Sequence, residues 1–220
     1  MDAIRALHFV VQDLDANQDV VRQGDRPKVS ALVIRGIVGR YHLLADGRRQ
    51  YLSFHLTGDM PDSQALFVDH MDHAVCALGA ACVALISHAD LLAAFDNRPS
   101  VAHAIWRETL IDAAIFREAI TNNSARSPQC RMAHLFCELY YRSHASGLTD
   151  GDTCEAPITL SQLGESLGMS LATVNRVLAE LRDAGSVDFR SGRIRVYHWE
   201  RLTKFSGFNP RYLHLRRPPL

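Results

Sequence analysis

The stretch of residues 158–199 constrains the fold most strongly, because it predicts two short helices, a tight turn between them and then a strand hairpin. Thr159 and Gln162 have the spacing of a capping box, so they mark the start of the first helix. Gly168 is suited to the left-handed residue that ends this helix, and Ser170 is suited to the N-cap of the second. The apolar residues expected to point inward are Leu160, Leu163 and Leu167 on the first helix and Val174, Val177, Leu178 and Leu181 on the second.

The hairpin follows directly after the second helix. Residues 187–189 and 194–197 are rich in apolar side chains and bracket the turn Arg190-Ser191-Gly192-Arg193. Helices and hairpin together predict a winged helix-turn-helix with a basic wing tip, to which Arg195 also belongs. Such a module places its second helix in the major groove of double-stranded DNA. The alternative is a module of the same shape that binds a protein.

The distribution of charge agrees with a nucleic-acid partner. The whole chain has a formal net charge of zero, but from Thr159 onward it has ten Arg and Lys residues against five Asp and Glu. Nearly all of these basic residues are Arg, whose planar guanidinium suits phosphate groups and base edges. The sequence therefore predicts a basic module attached to a more acidic one.

Composition and local sequence exclude several classes of protein. With 47% hydrophobic and 22% charged residues, the chain is expected to be soluble and to bury a core. No apolar run approaches the ~18 residues of a membrane span, and the N-terminus lacks a secretory signal, so we expect a cytoplasmic protein without membrane contact. The five cysteines form no CxxC pair, which argues against disulfides and structural zinc. Without a glycine-rich phosphate loop, an HExxH motif or an activated nucleophile, the sequence predicts no enzyme, no catalytic residue and no metal ligand.

The first part of the chain, up to residue 97, is strand-like. The β-branched run ALVIRGIVGRYHLL leads to a hairpin turn at Asp46-Gly47, and RQYLSFHL, HAVCALG and ACVALIS follow as further apolar runs. Many short strands separated by glycines predict an antiparallel β-roll of jelly-roll-like form. The fold class is therefore α+β, with a sensor-like roll at 1–97, a long helix and hinge at 98–126, and the winged helix-turn-helix at 127–220.

The pattern becomes helical at residues 98–123 and carries two apolar stripes. Val101, Ile105, Ile111 and Ile115 form one stripe, which is expected to pack on the roll. The other has alternating spacings of four and three, and it predicts a dimerisation seam made of Ala102, Trp106, Thr109, Ala113, Phe116 and Ile120. The alternative is one buried helix in a monomer. Asn122, Asn123 and Ser124 are expected to break the helix, so residues 122–128 form a hinge, and residues 147–157 are expected to be a polar loop.

The order of roll, long helix, hinge and winged helix-turn-helix resembles the CRP/FNR family of bacterial transcription regulators. In the C-terminal half the resemblance rests on Ile158, Thr159, Gly164, Leu167, Gly168, Ser170, Thr173, Val174, Arg176, Val177 and Leu178. In the roll it rests on ADGRRQYLSFHLTGDMPDSQALF and on Arg22-Gln23-Gly24-Asp25. The resemblance implies a homodimer that binds an inverted-repeat operator and acts on RNA polymerase, with an effector in the roll.

The pocket implied by the resemblance departs from that of cyclic-AMP-binding members. Their Gly-Glu and Arg-Ser pairs correspond here to Asp62-Ser63 and His73-Ala74, and their adenine-reading pair corresponds to Phe116-Arg117. A cyclic phosphate needs a fixed cation or a nest of amides, and Asp62 would repel it. We therefore expect a degenerate pocket formed by Asp62, Ser63, His73, Phe116 and Arg117, no cyclic-AMP binding, and an effector that stays unknown.

No cofactor is predicted. Iron–sulfur members of the family carry cysteines near the N-terminus, whereas the first cysteine here is Cys76. Haem-binding members place a Cys and a His near the end of the segment that binds phosphate in cyclic-AMP-binding members. Met71 and His73 stand close to those positions here, and His70 is adjacent. Haem is therefore the alternative cofactor, in a ligand sensor whose winged module mediates protein interaction.

The second helix of the winged module supplies the expected DNA contacts. Arg176 suits a bidentate contact to guanine, so the operator is expected to carry a G·C pair there, while Asn175 could read adenine. Leu171 and Ala172 stand where many family members carry Arg and Glu, and they could contact thymine methyl groups. The residues expected to contact phosphate are Thr159, Ser161, Ser170, Thr173 and the wing residues Arg190 and Arg193.

Overall fold

The computed structural model describes residues 7–215. The chain forms two compact units, Met1–Ala113 and Ala114–Leu220. The helix Pro99–Ala125 contains the boundary between them, and each unit has its own set of elements. None of the helices in the described part of the chain has the length and apolar composition needed to cross a bilayer.

The first unit is built on seven strands in two antiparallel sheets among the described residues. The strands are β1 (Phe9–Leu14), β2 (Asp19–Val21), β3 (Val29–Arg35), β4 (Val38–Leu43), β5 (Arg49–His55), β6 (Ala74–Ala77) and β7 (Ala81–Ser87). One sheet has the order β1-β7-β3 and the other the order β2-β6-β4-β5. Both contribute to one apolar core, which includes Leu14, Val33, Val38 and Val75. The prediction of an antiparallel β-roll is therefore confirmed.

The β-branched run ALVIRGIVGRYHLL forms two strands. Gly36 divides it into β3 and β4, which belong to different sheets. Gly36 has a φ of +84°, and a Cβ there would come within 2.7 Å of the carbonyl oxygen of Ala80. Glycine allows the chain to turn from one sheet to the other here, because it tolerates this φ and leaves room for the carbonyl group. Any other residue would be strained and would clash with it. The hairpin at Gly47, which joins β4 to β5, is confirmed.

Residues 88–97 are helical, so the strand-like assignment of this stretch is wrong. The helix α1 (His88–Asn97) begins at Ser87, whose side chain accepts a hydrogen bond from the backbone N–H of Asp90. Leu91 is fully buried against Ile86, Val101 and Ile105. The following helix α2 (Pro99–Ala125) packs Val101 and Ile105 in this same cluster. The prediction that this apolar stripe faces the roll is confirmed for these two residues.

The helix α2 continues through residues 122–124, so the expected break there is wrong. The Asn122 side chain donates to the carbonyl of Arg131 at 3.1 Å, and the Asn123 side chain donates to that of Ser166 at 3.0 Å. These tertiary partners keep the two amides away from their own backbone, which is how Asn usually disrupts a helix. The helix ends at Ala125, and Ser127 caps α3 (Pro128–Ala145).

The second unit packs helices on one small antiparallel sheet. After α3 the elements are β8 (Thr149–Asp150), β9 (Thr153–Glu155), α4 (Leu160–Leu167), α5 (Leu171–Asp183), β10 (Val187–Arg190), β11 (Arg193–Val196) and α6 (Trp199–Ser206). The strands of the sheet have the order β10-β11-β9-β8. The expected polar loop at 147–157 is thus a hairpin. Cys154 is buried and pairs with Ile194, so this segment belongs to the same sheet as the wing strands.

Candidate nucleic-acid interface

The helix-turn-helix forms at the residues that the sequence predicts. The backbone N–H of Gln162 donates to Thr159 Oγ1 at 3.2 Å, and the Gln162 side chain accepts from the Thr159 N–H at 2.8 Å. Gly168 ends α4 in the left-handed conformation, and Ser170 caps α5 by accepting from the N–H of Thr173. The capping box, the glycine C-cap and the serine N-cap are all confirmed.

Gly164 allows the close approach of α4 to the turn. A Cβ at this position would lie 2.6 Å from the carbonyl oxygen of Met169, which is a backbone atom and cannot rotate away. The same glycine carbonyl accepts the N–H of Met169 at 2.8 Å. A substitution at Gly164 would therefore push the turn away from the first helix and change the direction of the second.

The helix α5 buries one face and exposes the other. Val174, Val177, Leu178 and Leu181 are buried, as expected. The outer face exposes Leu171, Ala172, Asn175 and Arg176, with Thr173 half-buried at the helix start. Arg176 is ion-paired with Glu180 one turn on, at 2.5 Å, and the Asn175 side chain donates to the carbonyl of Leu171 at 2.9 Å. The predicted DNA-contacting residues of this helix therefore share one solvent-facing surface.

The predicted phosphate contacts lie at the starts of the two helices. Thr159 and Ser161 are exposed at the first turn of α4. Ser170 is exposed at the start of α5, and its Oγ lies 2.9 Å from Thr173 Oγ1. Backbone N–H groups at the start of a helix favour anions, so the N-termini of α4 and α5 both suit phosphate groups.

The wing forms as predicted, between β10 and β11. Arg190 pairs with Arg193 across the hairpin, and Ser191 and Gly192 take positive φ values of 50° and 71°. A Cβ on Gly192 would lie 3.2 Å from the Cα of Pro157, so the wing tip packs closely on the chain before α4. The hairpin is thus held against the helix-turn-helix.

Each wing arginine has an acidic partner, which the sequence reasoning missed. Arg190 pairs with Asp188 at 2.8 Å and Arg193 with Glu155 at 3.2 Å. Arg195 pairs with Asp152 at 2.9 Å. Asp188 could have been found from its position two residues before Arg190 on the same strand face. Glu155 and Asp152 could not, because their segment was interpreted as a loop outside the sheet.

The predicted effector residues divide between the two units. Asp62, Ser63 and His73 are buried in the first unit. The Asp62 carboxylate accepts from the N–H of Ala31 at 2.9 Å, and burial raises its pKa to about 7. Burial lowers the pKa of His73, whose ring nitrogens contact Asp72 at 2.6 Å and Gln64 at 2.9 Å. Phe116 is half-buried and Arg117 exposed on the part of α2 that belongs to the second unit.

A buried cation lies near Asp62 and His73, and no sequence pattern predicted it. Arg40 of β4 is 3% exposed and donates to the Asp112 carboxylate at 2.7 Å. Its guanidinium also donates to the backbone carbonyl of Pro61, directly before Asp62. Its positive charge opposes the burial effect on the pKa of Asp62 and adds to it on that of His73. The available signal was a lone Arg inside the apolar strand VGRYHL.

The residues considered for haem have other partners. Met71 is 2% exposed within the apolar core. His70 accepts a hydrogen bond from Arg26 Nε at 2.7 Å, and the two ring nitrogens of His73 are engaged as described. Among the described residues, no group of three or more His, Cys, Asp or Glu side chains could hold a metal ion.

The predicted dimer seam is partly exposed along α2. Trp106 is 66% exposed and Ile120 is 69% exposed, although both are large and apolar. Leu110, which the seam did not include, is also exposed. The smaller seam residues Ala102, Thr109 and Ala113, together with Phe116, are half-buried. This helix therefore presents an apolar surface to solvent.

Comparisons with known proteins match both parts of the chain. Residues 11–98 match the cyclic nucleotide-binding domain model, and residues 130–205 match the Crp-like helix-turn-helix domain model. The chain is 25% identical to the nitrogen fixation regulation protein FixK of Bradyrhizobium diazoefficiens over 165 residues, which cover 74% of this chain and 68% of FixK. It is 23% identical to the regulatory protein HlyX of Actinobacillus pleuropneumoniae, over 85% of this chain and 78% of HlyX.

Solved structures share the fold. The structure of FixK2 from Bradyrhizobium japonicum superimposes with a TM-score of 0.79 at 23% identity, covering 90% of this chain and 98% of that one. The regulator TTHB099 from Thermus thermophilus has a TM-score of 0.70 at 17% identity, covering 89% and 96%. The α+β architecture of roll, long helix and winged helix-turn-helix is therefore the one found in these proteins.

Proposed function

Because this chain belongs to the CRP/FNR family of DNA-binding transcription regulators, we propose that it binds an inverted-repeat operator as a homodimer. The observation that carries the proposal is the outer face of α5, where Leu171, Ala172, Asn175 and Arg176 all face solvent on a helix capped at both ends. A capped helix with such a face fits the major groove. The protein is further proposed to act on RNA polymerase in the cytoplasm.

The dimer is proposed to form along α2. Exposed large apolar side chains on a helix usually mark an interface, and Trp106 and Ile120 lie on the same predicted seam. A two-fold dimer would present two copies of α5, which must reach major grooves about 34 Å apart, or one turn of DNA. This geometry requires an operator made of two inverted half-sites.

Within each half-site, Arg176 is proposed to read a guanine and Leu171 and Ala172 to contact thymine methyl groups. A bidentate Arg–guanine contact is worth about 1–3 kcal/mol of discrimination against another base pair. Thr159, Ser161, Ser170 and Thr173 are proposed to bind phosphate groups and so fix the register without reading sequence. Arg190 and Arg193 add salt-dependent affinity from the wing.

The roll is proposed to act without cyclic AMP. Arg40 already binds the carboxylate of Asp112 and the carbonyl of Pro61, so its charge is not available to a phosphate group without loss of those bonds. Asp62 adds an acidic group beside it. The contacts of Met71 and His73 likewise favour a protein without haem.

Selection from randomised DNA duplexes tests the proposal. The purified full chain is expected to enrich inverted repeats that contain a G·C pair at one fixed position in each half-site. Arg176→Ala should abolish the preference at that position only, whereas Arg201→Ala, which removes the same charge from the exposed surface of α6, should leave it intact. Recovery of no common sequence by the parent protein would contradict the proposal.

A further inference from the structure

The exposed arginine of α5 is attached to a second helix through one carboxylate. Arg176 Nη1 lies 2.5 Å from Glu180 Oε1. The other oxygen of the same carboxylate, Glu180 Oε2, accepts from Gln129 Nε2 of α3 at 2.8 Å. These two hydrogen bonds lower the pKa of Glu180, so the carboxylate is charged under ordinary conditions. Glu180 therefore connects α3, through Gln129, to the guanidinium on the outer face of α5.

This connection leaves part of the guanidinium available. A guanidinium has N–H donors on three nitrogens, and Glu180 uses one of them. In the described part of the chain, Arg176 Nε and Nη2 make no hydrogen bond to protein. These two donors form the forked edge that matches the O6 and N7 acceptors of guanine. The ion pair thus holds one side of the group while the opposite side faces outward.

We infer that Glu180 is a positioning residue that presents Arg176 to its base pair and thereby sets the sequence preference of the protein. This inference rests on the DNA-binding function proposed above. An unrestrained Arg side chain loses much rotamer freedom when it binds, and it can instead contact phosphate groups of any sequence. Glu180 restrains the side chain before binding, and its negative charge also disfavours approach to the phosphate backbone.

The contribution of this pair to folding is small. Arg176 and Glu180 have side chains that are 54% and 40% exposed, and exposed pairs of this kind contribute little to stability. Substitution of Glu180 is therefore expected to leave the fold intact, so that any effect on DNA binding reports on positioning.

The test compares Glu180→Gln in the full chain with the matched control Glu200→Gln, which removes the same charge from the exposed surface of α6. Binding is measured to duplexes that differ only at the G·C pair selected through Arg176, and to one unrelated duplex. Glu180→Gln should reduce the affinity ratio between the G·C duplex and its variants about fivefold, which corresponds to a coupling of about 1 kcal/mol. Its affinity for the unrelated duplex should stay equal or rise, and Glu200→Gln should keep the parental ratio.

The double variant Arg176→Ala/Glu180→Gln shows whether Glu180 acts through Arg176. Its base preference should equal that of Arg176→Ala alone, because the group that Glu180 positions is gone. An unchanged ratio in Glu180→Gln, or a base preference in the double variant that differs from that of Arg176→Ala, would overturn the inference while leaving the DNA-binding proposal standing. A parent protein with no base preference at any position would overturn both.

Discussion

At the scale of single residues, the ion pairs of this protein have different environments and therefore different roles. Arg40 and Asp112 meet in the interior, where side-chain exposures are 4% and 26%, while the wing pair Arg193–Glu155 is exposed to solvent. A buried pair costs desolvation energy that its mutual attraction only partly offsets, but leaving one charge without its partner is far more costly. The loss in the free energy of unfolding therefore depends on which partner is removed.

We expect Asp112→Asn to lower the free energy of unfolding by about 3 kcal/mol, because it leaves the buried guanidinium of Arg40 without its anion. Arg40→Met should cost less, since it replaces the buried charge by an apolar side chain and leaves a carboxylate that partly reaches solvent. Urea denaturation of both variants measures the difference. Equal effects, or a larger effect for Arg40→Met, would contradict this account of the pair.

Asp62 is expected to make stability depend on pH. Its folded-state pKa of about 7 lies above the ordinary value of 3.8, because burial disfavours the charged carboxylate. The folded state therefore binds more protons than the unfolded state between about pH 4 and pH 7, and stability contributed by this group falls as the pH rises through that window.

Asp62→Asn removes this titration, so the stability of the variant relative to the parent should increase from pH 5 to pH 8, by up to ~1.4 kcal/mol per pH unit below the folded pKa. Thermal or urea unfolding at several pH values gives the comparison. The control Asp69→Asn changes an exposed carboxylate nearby in sequence, and the difference in stability between this variant and the parent should stay constant with pH. A pH-independent difference between Asp62→Asn and the parent would show that the carboxyl titrates normally.

At the scale of elements, the wing is less basic than its sequence indicates. β9 and the turn before it supply Glu155 and Asp152 to the arginines of β11, and β10 supplies Asp188 to Arg190. Phosphate groups must therefore compete with these carboxylates. The same sheet that holds the wing strands thus also supplies the acidic residues that lower the net charge of the wing.

Two wing variants should change DNA affinity in opposite directions. Arg193→Ala should weaken binding to all sequences alike and reduce the slope of log affinity against log salt by about 1. Glu155→Gln removes the competitor of the same arginine and should strengthen binding to any duplex without changing base preference. Binding titrations over a range of salt concentrations test both predictions. An unchanged salt slope in Arg193→Ala would show that the wing does not contact DNA.

At the scale of the whole molecule, the proposed function depends on a second copy of the chain. In the proposed dimer, one copy of α5 would read one half-site, and two copies held by a common interface would read an inverted repeat. The apolar surface of α2 is the feature of the described chain that best suits this interface, since Trp106, Leu110 and Ile120 expose most or about half of their surfaces.

Trp106→Ala combined with Ile120→Glu should convert the dimer into a monomer and lower affinity for an inverted repeat at least ~100-fold, with half-site affinity preserved. Sedimentation measures the oligomeric state, and binding to full and half operators measures the second effect. Ala104→Glu adds the same charge to the exposed opposite side of the helix and is the control. A parent protein that sediments as a monomer at micromolar concentration would rule out the interface.

The features that depend on short-range hydrogen bonds and turns could be predicted from the sequence alone. The caps at Thr159 and Ser170, the left-handed Gly168 and the wing turn were all predictable, because their partners lie within a few residues on a backbone of known geometry. The alternation of apolar runs and glycines was enough to predict a roll of many short strands.

Which distant groups meet depends on how the elements pack in three dimensions. Arg40 and Asp112 are 72 residues apart and Arg193 and Glu155 are 38 apart, so no local spacing relates them. The same holds for Asn122 and Asn123, whose side-chain partners on other elements let the helix continue where local propensity predicts a break. Local patterns fix backbone geometry, whereas the pairing of charges and amides depends on how the completed elements pack.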